Sequence, residues 1–273
     1  MGCVSRALAG LFLAAGLPAA GAFASDLVPA VSSTDRWTVE LGAEMRVIPR
    51  FQGDDNYTFV AVPLFDVRPA GTPHRFHAPR DGIGFAILES GSFKAGPVVQ
   101  VELGRHVRHN PDLAGLGNVG TAVEVGGFVD YWVAGWLRAR VEVRQGFGGH
   151  HGVVSDQTLD VVLPIGPQWT LSGGPRMTLA TANANDPYFS VNPLQSANSG
   201  LPVYNAGGGV RSLGLGTQAR YEWNPQWATH AYLEYQRLTD GVGNSPLVTQ
   251  RGSIHQGMFG VGATYSFDMR ALW

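Results

Sequence analysis

The stretch FGVGATYSFDMRALW, residues 259–273, decides the fold, because its apolar residues fall at every second position. Counted back from the last residue, these positions hold Trp273, Ala271, Met269, Phe267, Tyr265, Ala263, Val261 and Phe259. The positions between them are mostly small, hydroxylated or charged. Successive side chains of a strand point to opposite faces, so the stretch predicts a strand with one apolar face.

The same alternation recurs along the chain, for example at 37–47, 137–144, 213–223 and 227–235. A period of two sustained over about nine or more residues indicates strands long enough to cross a membrane. We predict strands at 37–47, 56–68, 73–79, 82–89, 92–105, 121–133, 136–147, 153–165, 168–181, 209–223, 226–238 and 255–273.

The connections between these strands alternate in length. Residues 90–92, 133–135, 166–168 and 224–225 are tight turns, whereas 106–120, 182–208 and 239–254 are long and polar. Short turns on one side and long loops on the other are typical of an outer-membrane barrel. We therefore predict an all-β fold, a transmembrane antiparallel β-barrel of about twelve strands, with the tight turns in the periplasm. The count is twelve if 73–79 and 82–89 form a wall hairpin around Arg80-Asp81-Gly82, and ten if that hairpin lies outside the wall.

Composition agrees with this class. Only 15% of the 273 residues are charged, against about 25% in soluble domains. Residues 1–24 resemble a cleaved secretory signal, with an Ala22-Phe23-Ala24 cleavage site. The predicted organisation is then a periplasmic segment at 25–36 and the barrel at 37–273. Cys3, the single cysteine, leaves with the signal, which excludes disulfides in the mature chain.

The face opposite the apolar one carries charges of both signs, which predicts a filled lumen. The acids are Glu40, Glu44, Glu102, Glu124, Asp130, Glu142, Asp160, Glu222 and Glu234, and the bases are Arg46, Lys94, Arg138, Arg140, Arg144, Arg176 and Arg220. Charges inside a narrow barrel must pair to be tolerated. A narrow or closed lumen is therefore expected rather than a wide, sign-selective pore.

Other readings of the sequence remain open. A soluble β-sandwich or a lipocalin-like barrel also alternates, although its strands are usually shorter. The pair His150-His151 could bind a metal but is more typical of a solvated outer turn. Asp54-Asp55 is typical of a polar turn. An enzyme site could involve His230, which we place in the lumen near Glu234. The sequence gives no catalytic residue, no metal site and no cofactor.

Several stretches resemble the MipA/OmpV family of outer-membrane proteins. The resemblance is carried by VIPRFQGDDNYTFVAVPLFDVR (47–68), DPYFSVNPLQSANSGLPVYNAGGGVRSLGLG (186–216) and YQRLTDGVGNSPLVTQRGSIHQ (235–256). The family-motif residues in them are Gly53, Asp54, Tyr188, Phe189, Gly200, Leu201, Pro202, Tyr204, Ser245 and Pro246. The chain ends on Trp273 where many members end on Phe, which is a conservative difference.

This resemblance implies a location in the Gram-negative outer membrane and a non-enzymatic role. The family's namesake, an MltA-interacting protein, is described as a scaffold between a lytic murein transglycosylase and a bifunctional penicillin-binding protein. Outer-membrane lipid and the barrel assembly machinery are further implied partners. Similarity to outer-membrane proteins in general makes the last strand an assembly signal, with Tyr265, Phe267 and Trp273 as its aromatic residues. A narrow passive channel or small-solute transporter is the alternative, and a barrel enzyme is the third.

Overall fold

The computed structural model describes residues 36–270, except 73 and 75. The predicted signal at 1–24, the segment at 25–35 and Trp273 lie outside the described residues. Within these residues, twelve strands form one antiparallel sheet. The predicted fold class is thus confirmed, and the sheet has the predicted number of strands, although two of the twelve differ from the predicted set.

Ten strands are long, from 10 to 16 residues, which is enough to cross a hydrocarbon core when tilted. They are β1 Arg36–Pro49, β2 Tyr57–Pro69, β5 Phe93–Glu102, β6 Ala122–Ala134, β7 Leu137–Gly148, β8 Val153–Ile165, β9 Trp169–Ala180, β10 Gly209–Glu222, β11 Trp227–Leu238 and β12 His255–Arg270. Two strands are short, β3 Ile83–Gly84 and β4 Leu88–Ser90. The strands lie in the order β2-β1-β12-β11-β10-β9-β8-β7-β6-β5-β3, and β4 also pairs with β5.

The helices found between residues 36 and 270 all lie in the long loops. They are α1 Ala182–Phe189, α2 Pro193–Ser199, α3 Asp240–Gly243 and α4 Pro246–Arg251, together with the 3₁₀ turns Val107–His109 and Pro111–Leu113. None of the helices in the described part of the chain has the length and hydropathy needed to span a membrane.

Burial along the strands is the reverse of that in a soluble protein. On β7, Arg138, Arg140 and Arg144 are buried, whereas Val141 and Val143 are 43% and 50% exposed. The sheet therefore curls with its charges inside and its apolar residues outside, as a bilayer requires. This inversion argues against the two alternative hypotheses, a soluble β-sandwich and a lipocalin-like barrel.

The predicted wall hairpin is wrong in its first half. Residues 74 and 76–79, the described part of the predicted strand 73–79, belong to no strand. Residues 76–82 instead run inside the curled sheet, where Ala78 is 3% exposed. The physical reason is that neither alternate set, His74-Phe76-Ala78-Arg80 or His77-Pro79-Asp81, offers lipid an apolar face. Residues 83–90 do follow the wall, as β3 and β4.

The two ends of the sheet leave a seam in the wall. Strand β2 pairs with β1 along its length, and β3 and β4 pair with β5. Among the described residues, no backbone hydrogen bond joins β2 to β3 or β4. Side chains beside the seam are correspondingly bare, with Phe59 73%, Phe65 71% and Ile83 84% exposed.

Candidate functional site

The long loops fold into a packed cap over one end of the barrel, which we call the loop end. Two apolar clusters make up the cap: the first contains Val119, Tyr188, Phe189, Ala206, Leu238, Val242 and Val248, and the second Phe51, Leu113, Leu116, Val191, Leu201 and Leu247. The opposite end, with the tight turns, is the turn end. The cap was not expected from the polar composition of these loops.

Most of the family-motif residues meet in this cap. The Ser245 hydroxyl donates to the carbonyl of Phe189 at 2.6 Å, and both residues are 0% exposed. The Tyr204 hydroxyl donates to the carbonyl of Gly241 at 2.9 Å. These bonds join the loop 181–208 to the loop 239–254, so the motif residues hold two loops together.

The other motif residues define the local backbone. Gly200 ends α2 with a φ of 75°, a left-handed conformation that favours glycine. Pro246 begins α4 and is buried. Leu201 is buried in the second cluster, whereas Pro202 is exposed. Gly53 has a φ of 96° and lies against Val248.

Asp54 is a buried structural acid rather than a solvated turn residue. It is 0% exposed. Its carboxylate accepts the side-chain amide of Asn110 at 2.7 Å and the backbone N–H of Asn56 at 2.9 Å. Burial raises the pKa of Asp54 above its usual value. Carboxylate oxygens of Asp54, Asp55 and Asp112 lie within 4.8 Å of one another, but the hydrogen bonds above already engage both oxygens of Asp54.

A buried arginine anchors the cap to the barrel. Arg105 is 3% exposed and donates to the carbonyls of Tyr188, at 2.7 Å, and Pro187, at 3.2 Å. Burial lowers its pKa to about 10, which leaves it charged at neutral pH. Its role could not be predicted because both of its acceptors are backbone atoms.

The predictions for the histidines are corrected in two places. His150 is 1% exposed and its Nε2 lies 2.9 Å from Glu124, whereas His151 is exposed, so they form neither a solvated pair nor a shared metal site. His230 does face the lumen as predicted. Its Nε2 lies 2.5 Å from Glu44, which is its partner in place of the predicted Glu234.

The lumen is filled by ion pairs between strands, as the mixed charges predicted. Arg144 contacts Glu124 at 2.8 Å and Asp156 at 2.5 Å, and Arg138 contacts Asp130 at 2.7 Å. Arg176 contacts Asp160 at 2.5 Å. Asp156 was missed by sequence reasoning, although it alternates with Thr158 and Asp160 on β8 and could have been found by that period.

The turn end of the lumen is closed around Glu40. Its carboxylate accepts from Arg68 and Arg220, each at 3.1 Å, and from Ser266 at 3.2 Å. Aromatic side chains ring the outer surface at the same end. Among the predicted assembly-signal residues, Tyr265 lies 5.0 Å from Trp227 and 6.1 Å from Phe267, measured between ring centroids.

Residues 76–82 cross the lumen and complete its filling. The Arg80 guanidinium contacts Glu234 on β11 at 2.6 Å and Asp156 on β8 at 2.7 Å. Asp81 accepts from Arg138 on β7 at 2.7 Å. The backbone N–H of Gly82 donates to Glu142 at 3.1 Å. One short segment therefore contacts β7, β8 and β11 from inside the curled sheet.

The buried histidines belong to the network of paired charges in the lumen. In the described part of the chain, the side-chain hydrogen bonds of His150 and His230 go to glutamates and to one backbone N–H. Neither histidine is hydrogen-bonded to a serine or threonine there, the pairing that activates a hydroxyl nucleophile.

Comparisons with known proteins agree with the resemblance in the sequence. The profile of a family described as MltA-interacting protein MipA matches residues 41–267. The MltA-interacting protein of Escherichia coli strain K12 is 32% identical over 109 residues, which are 40% of this chain and 38% of that protein. The same values hold for the MltA-interacting protein of Shigella flexneri. The matched stretch thus spans well under half of these relatives.

Two solved structures similar to this chain are an outer membrane channel and an outer membrane protein. An outer membrane channel from Pseudomonas putida F1 is 10% identical, with a TM-score of 0.43 over 85% of this chain and 95% of that chain. OmpT, an outer membrane protein of Vibrio cholerae, is 10% identical, with a TM-score of 0.35 over 88% of this chain and 100% of that chain.

Proposed function

Because the chain belongs to the MipA family, we propose that it is a non-enzymatic scaffold that brings a murein hydrolase and a murein synthase together at the outer membrane. The protein is a β-barrel of the Gram-negative outer membrane, where this family resides. Its wall is apolar toward lipid and its lumen is charged. The scaffold role goes beyond this and is a proposal.

The filled lumen is the observation that carries the proposal. Arg80, Asp81 and the arginines of β7 occupy the bore with paired charges. The charged side chains inside such a barrel bind one another, so we expect contacts with other proteins to be made by its outer surfaces. The names of the relatives refer to interaction with MltA, and we extend an interaction of that kind to this chain.

A narrow channel is the second candidate, and the path of residues 76–82 favours it. The segment is held by side-chain contacts and lies free of the ladder, so its displacement would widen the bore. Conductance in a planar bilayer distinguishes the two functions. A steady pore in the unmodified protein would favour the channel over the scaffold.

Affinity capture tests the scaffold. The mature chain is refolded in detergent, immobilised, and exposed to a purified lytic transglycosylase and a purified bifunctional penicillin-binding protein, separately and together. We expect each enzyme to be retained, and the two to be retained together. An unrelated outer-membrane barrel of similar size is the control.

Retention of neither enzyme, or equal retention by the control barrel, would overturn the scaffold. A loss of lytic activity associated with the barrel on changing His230 to Gln would instead favour an enzyme. We expect no such loss, since His230 is hydrogen-bonded to Glu44 inside the barrel.

A further inference from the structure

The directions of the strands beside the seam show that β2, in the described part of the chain, has no antiparallel neighbour on its free edge. Strand β2 runs toward the turn end, since Pro69 pairs with Trp37 at the start of β1. Residues 83–90 run the same way, since Ser90 pairs with Phe93 at the start of β5 and Ile83 with Val99. The two edges of the seam are therefore parallel. Strand β5 runs oppositely to β2 and is the antiparallel neighbour that β2 would need.

The cover over β5 is slight. Strands β3 and β4 pair with β5 at five register positions, Ile83, Gly84, Leu88, Glu89 and Ser90, and between them the N–H of Ile87 donates to the carbonyl of Ala95 at 3.0 Å. The free edge of β2, by contrast, extends over 13 residues. Unpaired backbone groups in hydrocarbon cost several kcal/mol each. Exchange of the short cover for a β2–β5 ladder would close the wall at ten long strands, an even number as in other bacterial single-chain barrels.

We propose that residues 76–90 form a releasable arm, which leaves the lumen on the turn side while β2 pairs directly with β5. The chain enters this region after Pro69 and leaves it at Phe93, both at the turn end. The arm can therefore move out without threading through the barrel. Arg80 and Asp81 are its latch, because they hold it to β7, β8 and β11.

Release leaves no stranded charge in the lumen. Asp156 keeps Arg144 at 2.5 Å when Arg80 departs. Arg138 keeps Asp130 at 2.7 Å and Asp160 at 3.3 Å when Asp81 departs. Glu234 keeps Arg176 at 3.9 Å and its hydrogen bonds from Tyr232 and Gln236 when Arg80 departs. The strands thus remain paired with each other, and Arg80 and Asp81 become solvated.

The released arm would present a row of apolar side chains that another protein could bind. It carries Ile83, Phe85, Ile87 and Leu88, which are 84%, 66%, 66% and 60% exposed even in the wall. An extended apolar segment of this kind fits a periplasmic protein that takes a strand onto a sheet edge. This part of the inference rests on the proposed scaffold function and names the surface that such a function needs.

Cysteine labelling tests release directly. In a Cys3→Ser background, Ala78→Cys places a thiol in the arm at a position that is 3% exposed. Cells permeabilised at the outer membrane are treated with a bulky, membrane-impermeant maleimide. Addition of Arg80→Ala should raise the labelling rate by at least about tenfold, because only the docked arm makes the two ion pairs of Arg80, and hydrogen bonds between charged groups are the strong ones.

Arg211→Gln is the matched control. Arg211 is also a buried arginine, 5% exposed, but its hydrogen bonds go to Asn185 and Ala184 and not to the arm. Folding of each variant is checked by its heat-dependent shift on a gel. If folded Arg80→Ala labels no faster than Arg211→Gln, the segment is a permanent plug and the proposal is wrong. Labelling from the outside of intact cells at the same rate would also overturn it.

A disulfide lock gives a second readout. Ile83 and Val99 are register partners on the lipid face, so Ile83→Cys with Val99→Cys can fix the arm to β5. Oxidation should slow cleavage by trypsin at Arg80 about tenfold in permeabilised cells, and reduction should restore it. A disulfide between Leu215→Cys and Tyr235→Cys, which are partners on β10 and β11, should leave the rate of cleavage at Arg80 unchanged. Equal cleavage of the locked and reduced arm would refute release.

The two proposals fail separately. If labelling shows release but no murein enzyme is retained, the proposal of a releasable arm is supported and the proposal of a scaffold is wrong. If the enzymes are retained equally by locked and reduced protein, the scaffold stands and the arm is not its contact surface.

Discussion

Ser245 is the residue on which the contact between the two large loops depends most directly. It is fully buried, and its hydroxyl donates to the carbonyl of Phe189 at 2.6 Å. Ser245→Ala leaves that carbonyl unpaired, which costs about 1–3 kcal/mol in a buried site. We expect faster cleavage of the loop 181–208 by an added protease. Thr249 is an exposed residue of α4, and Thr249→Ala removes a bond to the Ser245 carbonyl, which still accepts from the backbone N–H of Thr249. This variant should be cleaved at the same rate as the parent.

Asp54 gives the cap a pH dependence of unusual sign. Burial raises its pKa above the ordinary 3.8, so the folded cap binds the proton more tightly than the unfolded chain. Its contribution to stability is full below that ordinary value and is lost as the pH rises through the raised pKa. The protease resistance of the cap should fall over this range, and Asp54→Asn should weaken the fall. An unchanged pH profile in Asp54→Asn would contradict this account.

At the scale of strands, the alternation predicts which residues meet lipid. Val141 lies near the middle of β7 with its side chain outward and 43% exposed. Val141→Arg should therefore lower the free energy of unfolding in bilayers by about 2–4 kcal/mol. Ile165→Arg at the end of β8 should cost about 0–1 kcal/mol, because charges near the interface are tolerated. Equal costs measured by denaturant titration would mean that this face does not meet lipid.

The strands were predictable from the sequence because each long strand places an apolar side chain toward lipid at about every second residue. β7 is the clearest case, with Arg138, Arg140 and Arg144 inward and Val141 and Val143 outward. The arm has no such repeat. Its position depends on contacts of Arg80 and Asp81 with acids and arginines far along the chain, and no local pattern encodes those partners.

The cap was missed for a related reason. Its loops are polar on average, and their few apolar residues become a core only when separate loops meet. Tyr188 and Val248, about sixty positions apart in the sequence, belong to one cluster. His150 was misjudged in the same way, since the glycines around it suggested exposure, whereas it is buried and hydrogen-bonded to Glu124 on β6.

For the whole molecule, the cap and the arm divide the barrel into two differently stabilised ends. The loop end is closed by apolar packing that joins several loops. The turn end is closed by charges, with Glu40 holding Arg68 and Arg220. Glu40 and Arg68 are themselves buried, so salt screens their contact much less than it screens contacts between exposed charges. The chain enters and leaves the region of the arm at the turn end, so the proposed release of the arm would open the lumen there.

The orientation of these two ends in the membrane decides what can reach them. Val203 in the cap is 60% exposed, and Pro225 lies exposed in the turn between β10 and β11. With the cap outside, Val203→Cys should react with an impermeant maleimide on intact cells, in a Cys3→Ser background. Pro225→Cys should react only after the outer membrane is permeabilised. Labelling of Pro225→Cys in intact cells, with Val203→Cys protected, would place the cap in the periplasm. The packed loops, rather than the arm, would then be the surface available to a murein enzyme.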